Sequence, residues 1–179
     1  GNEMFELLQS SAESLMKVIK NATVLSKLSI GENIVKENLD LVPILEDMKA
    51  EFASQLSHVS MTLNTNIPDS LIIKANPIIS EIPKNYISNA IKYSSDGGTI
   101  NLILREEGGT VTLRIDDSGK PIPTEMRAAI FKRNVQLGDG EKRGRGLGLA
   151  IVKRIANAHD ATVGIEDSST GGNSFFLKF

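Results

Sequence analysis

The sequence predicts an α+β fold: a two-layer α/β sandwich whose helices cover one face of a mixed, largely antiparallel sheet, preceded by a long N-terminal helix. Residues 4–29 hold apolar side chains at helical spacing with no Gly or Pro among them. Two pairs of alternating segments, 99–105 with 110–116 and 162–166 with 174–179, each flank a Gly-Gly dipeptide, which is a hairpin signal. Helical text at 41–53, 76–94 and 147–158 supplies the covering layer. With 179 residues, 40% apolar and 23% charged, the chain suits one domain plus an appendage and has the material for a core.

Residues 4–29 are read as one amphipathic helix, close to 40 Å long at about 1.5 Å per residue. Phe5, Leu8, Leu15, Val18, Ile19, Ala22, Leu25 and Leu28 form its stripe. That stripe is too long for a lone helix to leave wet and predicts pairing with another helix or a second chain. Ile30-Gly31-Glu32-Asn33 breaks the pattern, so 1–30 is expected as a helical appendage, 31–37 as a linker and 38–179 as the domain. Residues 41–53 follow as a helix with Val42, Ile44, Leu45 and Met48 on one side. Then 58–63 alternates as a strand and 71–74 forms a short one. Asn76-Pro77 opens a helix expected to reach Ser94, since Pro fits a first helical turn. Pro83, inside that helix, removes a hydrogen bond and predicts a bend. The two hairpins and the helix 147–158 complete the domain.

Composition narrows the chemistry. Cys is absent, which removes disulfides, thiolate zinc sites and thiol nucleophiles. The two histidines, His58 and His159, lie far apart, leaving metal chemistry to oxygen ligands such as Asn, Asp and substrate phosphates. A net charge of −2, a pI near 5.8 and 4% aromatics without Trp offer neither the field nor the stacking platforms of a nucleic-acid binder. No apolar run approaches the roughly 20 residues of a membrane span, and no signal peptide opens the chain. The expectation is therefore no nucleic acid, no membrane contact by this chain, and a cytoplasmic location. The chain starts directly in helical text, as a piece of a longer protein does.

Four motifs remain. In the segment 85–93, Asn85, Asn89, Lys92 and Tyr93 fall at i, i+4, i+7 and i+8 and share one helix face. Two carboxamide oxygens, an ammonium and a phenol suit Mg²⁺ and phosphates, although a merely solvated helix also shows a polar face. Ile115-Asp116-Asp117-Ser118-Gly119-Lys120-Pro121-Ile122 ends a strand in carboxylates. An Asp there can accept from an exocyclic amine such as adenine N6, or simply close a turn. In Gly144-Arg145-Gly146-Leu147-Gly148-Leu149, alternate glycines before a helix let backbone N–H groups approach phosphates at the positive helix end. The segment lacks both the Gly-Lys-Ser/Thr of a Walker loop and the preceding apolar strand of a Rossmann turn. The polar stretch 134–143 before it reads as a mobile lid with cationic Lys142, Arg143 and Arg145, or as a plain surface loop. Thr170-Gly171-Gly172-Asn173-Ser174-Phe175 reads by itself as a hairpin turn.

In this order and spacing the motifs resemble the ATP-binding catalytic domain of sensor histidine kinases, members of the GHKL superfamily that also holds gyrase, Hsp90 and MutL. Residues 85–93 resemble the N box, Asp117-Ser118-Gly119 the first glycine box, Phe131 the F box, and 144–149 the second glycine box. Residues 22–29 resemble the end of the second helix of the dimerisation and phosphoacceptor hairpin. The resemblance implies ATP held between the N-box helix, the lid and the sheet. Asn89 would be the Mg²⁺ ligand with Asn85 assisting, Lys92 would contact phosphate, and Asn85 and Lys92 would serve the transfer. Tyr93 would lie near the adenine and Asp117 on its N6, beside Gly119. Lys142, Arg143, Gly144, Arg145, Gly146, Leu147, Gly148 and Leu149 would surround the phosphates. The resemblance also implies γ-phosphoryl transfer from Mg-ATP to a histidine on a dimerisation domain outside this chain. It further implies a homodimer in the intact kinase, sensor domains in a parent open to membrane anchoring, and a response regulator as partner.

Residues 1–57 contain no His. Neither His58 nor His159 is expected to carry phosphate, so the chain is not expected to autophosphorylate alone. Ser118 stands where the family commonly has Asn, and Pro121 where a second Gly is usual, which stiffens the turn. That departure keeps open an alternative, a degenerate nucleotide-binding module that regulates a partner without kinase activity. Hydrolysing members of the superfamily place a Glu one turn before the metal Asn, and here that position is Asn85, a poor general base. A serine kinase of the anti-sigma type would share the boxes but not the long leading helix.

Overall fold

The computed structural model describes residues 2–30, 34–95, 97–132 and 147–179. Helix α1 spans Asn2–Ile30, strand β1 Glu37–Asp40 and helix α2 Leu41–His58. Strands β2 (Thr62–Asn66) and β3 (Ile72–Ala75) lead through a 3-10 turn at Pro77–Ser80 into helix α3, Glu81–Tyr93. Strands β4 (Thr99–Glu107) and β5 (Thr110–Asp116) are followed by the short helix α4 (Thr124–Arg127) and a 3-10 turn at Ala129–Phe131. Helix α5 (Gly148–Ala158) and strands β6 (Thr162–Asp167) and β7 (Asn173–Lys178) close the chain. Five strands form one sheet in the order β2-β4-β5-β7-β6, with β2 parallel to β4 and the other pairings antiparallel. Strands β1 and β3 pair antiparallel as a separate small sheet.

Strand alternation decides which face is covered. Ile100, Leu102 and Leu104 of β4, Leu113 and Ile115 of β5, and Phe175 and Leu177 of β7 are buried in one cluster with Leu45 and Met48 of α2, Ile82 and Ile87 of α3, and Val152 and Ile155 of α5. Each fully buried side chain of this size contributes roughly 1.5–3 kcal/mol. The other face is polar: Asn64 donates to Asn101 at 3.2 Å, and Arg114 pairs with Glu166 at 2.7 Å. This is the apolar-in, polar-out pattern of a sheet with one solvated side. Gly108 and Gly109 close the β4–β5 hairpin at φ 59° and 81°, the left-handed pair that a two-residue turn of this hand requires. Asp40 ties β1, α2 and β3 together. Its Oδ1 accepts the Val42 and Leu71 N–H groups at 3.0 Å each, and its Oδ2 the Ser70 hydroxyl at 2.7 Å. The Leu71 N–H, the Ser70 hydroxyl and the Val42 N–H hold this carboxyl below its ordinary range.

The structure corrects the sequence reading in several places. His58 does not open a strand; it is the last residue of α2, because the apolar period continues through buried Phe52 and Leu56, and the strand begins at Thr62. Pro83 does not lie inside one continuous helix. The 3-10 turn ends at Ser80, α3 starts afresh at Glu81, and Pro83 falls in its first turn, where its missing N–H would have had no intrahelical partner. Strand β1 already includes Glu37, inside the expected linker; residues 31–33 lie outside the described ones. The expected stripe of α1 divides in two. Leu25 and Leu28 pack on the core beside buried Val24, whereas Phe5, Leu8, Leu15 and Ile19 are exposed together with Met4, Leu7 and Met16. Helix α1 touches α5, and Lys20 Nζ lies 3.2 Å from Glu81 Oε1 at the start of α3. No helix among the described residues is long and apolar enough to cross a membrane.

Candidate functional site

Helix α3 connects the two ends of the site. Tyr86 is fully buried, with its ring 5.0 Å from that of Phe175 and its hydroxyl donating to the Phe176 carbonyl at 3.1 Å. Burial pushes this phenol up, so it remains a donor. The anchor fixes the rotation of α3 and puts Asn85, Asn89 and Lys92 on a half-buried flank. Asn85 Nδ2 donates to the Glu81 carbonyl at 2.7 Å, one turn back. Its Oδ1 thereby faces the start of α5, where a Cβ on Gly148 would lie 2.7 Å away. Among the described residues the Asn89 carboxamide has no hydrogen-bond partner. Lys92 Nζ sits 5.0 Å from the Tyr93 ring centroid, and Tyr93 is 50% exposed.

The first turn of α5 has Leu147 at its N-cap and no side-chain cap. The ladder begins with the Ile151 N–H bonded to the Leu147 carbonyl at 3.0 Å, so the N–H groups of Gly148, Leu149 and Ala150 come before it. Donors with no cap among the described residues, at a positive helix end, suit an anion, and they adjoin Asn85. Lys142, Arg143, Gly144, Arg145 and Gly146, together with the expected lid over 134–143, lie outside the described residues. Phe131 is buried in the 3-10 turn that packs against α5.

At the other end, Asp117 follows β5 with only 4% of its surface exposed. Its Oδ1 accepts the Gly119 N–H at 2.8 Å, the Asn173 N–H at 3.3 Å and the Asn173 side-chain amide at 3.2 Å. Every hydrogen bond from a described residue to this carboxylate falls on Oδ1. Burial raises its pKa, the Gly119 N–H and the Asn173 donors oppose the rise, and neighbouring Asp116 adds to it. A Cβ on Gly119 would lie 3.3 Å from both the Tyr93 carbonyl and Ser94 Oγ, so the turn rests on the end of α3. Ser94 Oγ is buried without a hydrogen-bond partner among the described residues. From Asn85 to Tyr93 the helix advances about 12 Å, a span that an extended nucleoside triphosphate covers.

These features fit a nucleotide and its metal ion. A buried carboxylate with one oxygen clear of donors among the described residues, and an orphaned hydroxyl beside it, match the edge of an aminopurine. Uncapped amides match phosphates. Among the described residues no three His, Cys, Asp or Glu side chains cluster, so an ion here would depend on the carboxamide oxygens of Asn85 and Asn89, phosphates and water, which is a donor set for Mg²⁺.

Sequence reasoning missed two residues. Asn173, read only as part of a hairpin turn, contributes two donors to Asp117 from 56 positions away, and no local spacing reveals such a contact. Gly172 lies so close to the same turn that a Cβ on it would stand 2.0 Å from the Asp117 carbonyl oxygen. The signal available was the Gly-Gly-Asn triplet itself, with more glycine than a hairpin turn needs. Both histidines stand apart from the site. His58 is exposed at the end of α2, and His159 is buried with Nε2 accepting the Asn76 N–H at 3.0 Å and Nδ1 at 2.7 Å from the Ile155 carbonyl. An open cavity of about 410 Å³ between loop 66–71 and the end of β4 contains none of these groups.

Comparison with known proteins identifies the family of this fold. Residues 76–179 match the family described as histidine kinase-, DNA gyrase B- and HSP90-like ATPases. The chain is 31% identical over 180 residues to the sensor histidine kinase TmoS of Ectopseudomonas mendocina, covering 97% of this chain and 18% of TmoS. Among solved structures, full-length ShkA in complex with AMPPNP superposes with a TM-score of 0.79 at 21% identity, covering 94% of this chain and 36% of that one. The Acinetobacter baumannii histidine kinase AdeS superposes with a TM-score of 0.76 at 24% identity, covering 98% of this chain and 82% of that one. The chain spans 18% to 52% of the length of the first curated relatives it matches. On its boxes, its fold and its match over 76–179, the chain belongs to the histidine kinase-, DNA gyrase B- and HSP90-like ATPase family, as the ATP-binding catalytic domain of a sensor histidine kinase.

Proposed function

We propose that this domain binds Mg-ATP along α3 and presents its γ-phosphoryl group to a histidine carried by a helix outside this chain. The observation that carries the reading is the placement of α3, with Asn85 against the uncapped start of α5 at one end and the Asp117–Gly119 turn against Tyr93 and Ser94 at the other. Asp117 accepts from the adenine N6 amine. The Gly148, Leu149 and Ala150 N–H groups hold phosphate oxygens, Lys92 neutralises their charge, and Tyr93 lies over the base edge. Asn89, assisted by Asn85, would hold Mg²⁺ through carboxamide oxygens, and the ion would supply neutralisation of phosphate charge there. In the transfer, an imidazole nitrogen forms the N–P bond as the bond from phosphorus to the β–γ bridging oxygen breaks and ADP leaves. The protein contributes alignment and charge rather than a covalent intermediate of its own.

In this reading residues 1–30 belong to a dimerisation and phosphoacceptor hairpin and 38–179 to the catalytic domain, joined by 31–37. The exposed face of Phe5, Leu8, Leu15 and Ile19 is then covered by a partner helix in a homodimer, and the phosphoryl group passes on to a response regulator on the cytoplasmic side. The test is calorimetric titration with ATP, with and without Mg²⁺, followed by incubation with γ-labelled ATP of this chain and of a longer chain that includes the upstream histidine-bearing helix. Micromolar-range binding and acid-labile label only in the longer chain are expected. Binding without label in the longer chain would instead favour a regulatory module without kinase activity, and no binding by either would sink the proposal.

A further inference from the structure

The sequence motif left over from the nucleotide boxes, Thr170 to Phe175, contains a side chain that makes three hydrogen bonds beside the site. Asn173 is 5% exposed. Its Nδ2 donates both to Asp117 Oδ1 at 3.2 Å and to the Lys120 carbonyl at 3.1 Å, while its Oδ1 accepts the Ile122 N–H at 2.7 Å. Its backbone continues the β5–β7 ladder past Asp116 and Ser174, with the Asp117 N–H donating to the Asn173 carbonyl at 2.8 Å. One carboxamide thus grips Asp117 and the groups on both sides of Pro121. Pro121 offers no N–H of its own, and the carboxamide holds the loop through the carbonyl before it and the N–H after it.

The consequence falls on the geometry of the Asp117 carboxylate. Three donors converge on Oδ1, from the backbone of Gly119, the backbone of Asn173 and the side chain of Asn173. With Oδ1 saturated and the carboxylate plane fixed, Oδ2 is the oxygen left to accept from a ligand. Only one of the three donors is a side chain, so only that one can be removed by substitution without rebuilding the backbone.

We propose that Asn173 is a positioning residue for base selection: by holding Asp117 Oδ1 it aims Oδ2 at a 6-amino group and so sets the preference for adenine over 6-oxopurine nucleotides. This rests on the reading of Asp117 as the adenine acceptor. A merely structural amide would affect all nucleotides equally when lost. A positioning amide affects the ratio between them, because a carboxylate held by two donors instead of three turns more readily, accepts less well from an amine and avoids an oxo group less strictly.

The experiment compares Asn173→Thr with Asn173→Val, side chains of one shape that differ in a hydroxyl donor, and reads ATP and inosine triphosphate affinities by calorimetry. Both substitutions give up the grip on Lys120 and Ile122; only Thr retains a donor for Asp117. Asn173→Thr is expected to keep the ATP preference within about twofold of the parent, and Asn173→Val to reduce it by about threefold to tenfold. Equal preference in the two variants overturns the proposal. Should Val prevent folding, Asn173→Ser against Asn173→Ala makes the same comparison with less strain on the strand. Asp117→Asn, run alongside, separates the two inferences. If it leaves the ATP preference intact, the adenine site lies elsewhere and that reading fails. If it abolishes the preference while Asn173→Val does not, the adenine site stands and the positioning role falls.

Discussion

Gly172→Ala places a methyl group 2.0 Å from the Asp117 carbonyl oxygen, 2.8 Å from the Asp117 carbonyl carbon and 3.0 Å from the Ser118 Cα. Heavy atoms rest about 3.5 Å apart, so the hairpin and the turn must separate by about 1.5 Å. The groups in the way are backbone and cannot rotate aside. The backbone of residue 172 itself accepts Ala, so the entire effect is steric. Such overpacking costs about 1–3 kcal/mol. Separation also breaks the 2.8 Å bond from the Asp117 N–H to the Asn173 carbonyl, adding about 1 kcal/mol. The total of about 2–4 kcal/mol should lower Tm by about 5–15 °C in a chain of this size. Since the Asn173 donors move with the hairpin, ATP affinity should fall about tenfold or more. Gly171→Ala is the control. That residue sits at φ 88° with nothing within 4 Å of its would-be Cβ, so Ala there carries only the left-handed backbone strain of about 1–2 kcal/mol and should not touch the site. Thermal unfolding with ATP titration measures both variants. An unchanged Tm in Gly172→Ala, or the same loss of ATP affinity in both, refutes the reasoning.

Asn89→Ala should weaken Mg-ATP more than metal-free ATP, since its contact runs through the ion; calorimetry with and without EDTA checks this, and equal losses count against the assignment. Asp117→Asn should reduce ATP affinity about tenfold to a hundredfold, because an acceptor-only carboxylate is replaced by an amide that also presents donors. The same substitution should flatten the pH dependence of stability without nucleotide. The raised carboxyl pKa means that the folded state binds more protons than the unfolded one above 3.8, so parent stability declines as pH rises through that window and the variant's should not. Urea titrations across the acidic range compare the two. Lys20→Glu sets like charges at the 3.2 Å contact with Glu81, but Lys20 is 51% exposed, so less than about 1 kcal/mol is expected, read as faster proteolysis of α1.

How much of this was legible in the sequence depended on whether a signal was local. The β4–β5 hairpin was, because Gly108-Gly109 and the flanking alternation sit within one stretch of chain and both glycines adopt the left-handed conformation that the turn demands. The helix face of Asn85, Asn89 and Lys92 was also legible, since its spacing is that of the helix. Pro83 misled because its position is measured from the helix start, and that start depends on where a 3-10 turn gives way to α3, a choice made by tertiary packing. Val24 was invisible for a related reason: α1 buries a residue off its main stripe where it meets the core, while Phe5, Leu8, Leu15 and Ile19 of the stripe stay exposed. Asn173 and Gly172 were read as turn residues because their partners stand across the sheet. Contacts between segments 56 residues apart leave no periodicity, and only the structure brings them onto Asp117.

His159 supplies the last prediction, on both stability and chemistry. It is 5% exposed, its Nε2 accepts the Asn76 N–H at 3.0 Å, and its Nδ1 proton points to the Ile155 carbonyl at 2.7 Å. That tautomer leaves no free lone pair for attack on phosphorus, so His159 should remain unlabelled by γ-labelled ATP. Protonating Nε2 would set two N–H donors face to face at Asn76. Burial lowers its pKa first of all, the Ile155 carbonyl opposes this, the Lys36 ammonium lowers it further, and the Asp160 carboxylate counters in part. Because the folded pKa lies below 6.5, the unfolded chain binds more protons between the two values. Stability fully present above 6.5 should therefore be lost as pH falls through the folded value, with a limiting slope of about 1.4 kcal/mol per pH unit for one proton. The carboxylates of Asp40, Asp160 and Glu166, all held low by their partners, respond only at more acidic pH and leave this window clear. His159→Gln keeps an acceptor for the Asn76 N–H but cannot titrate, so urea unfolding between about pH 5.5 and 7.5 should give a flatter profile. A slope as steep in the Gln variant as in the parent would assign the acid sensitivity to other groups and remove His159 from the account.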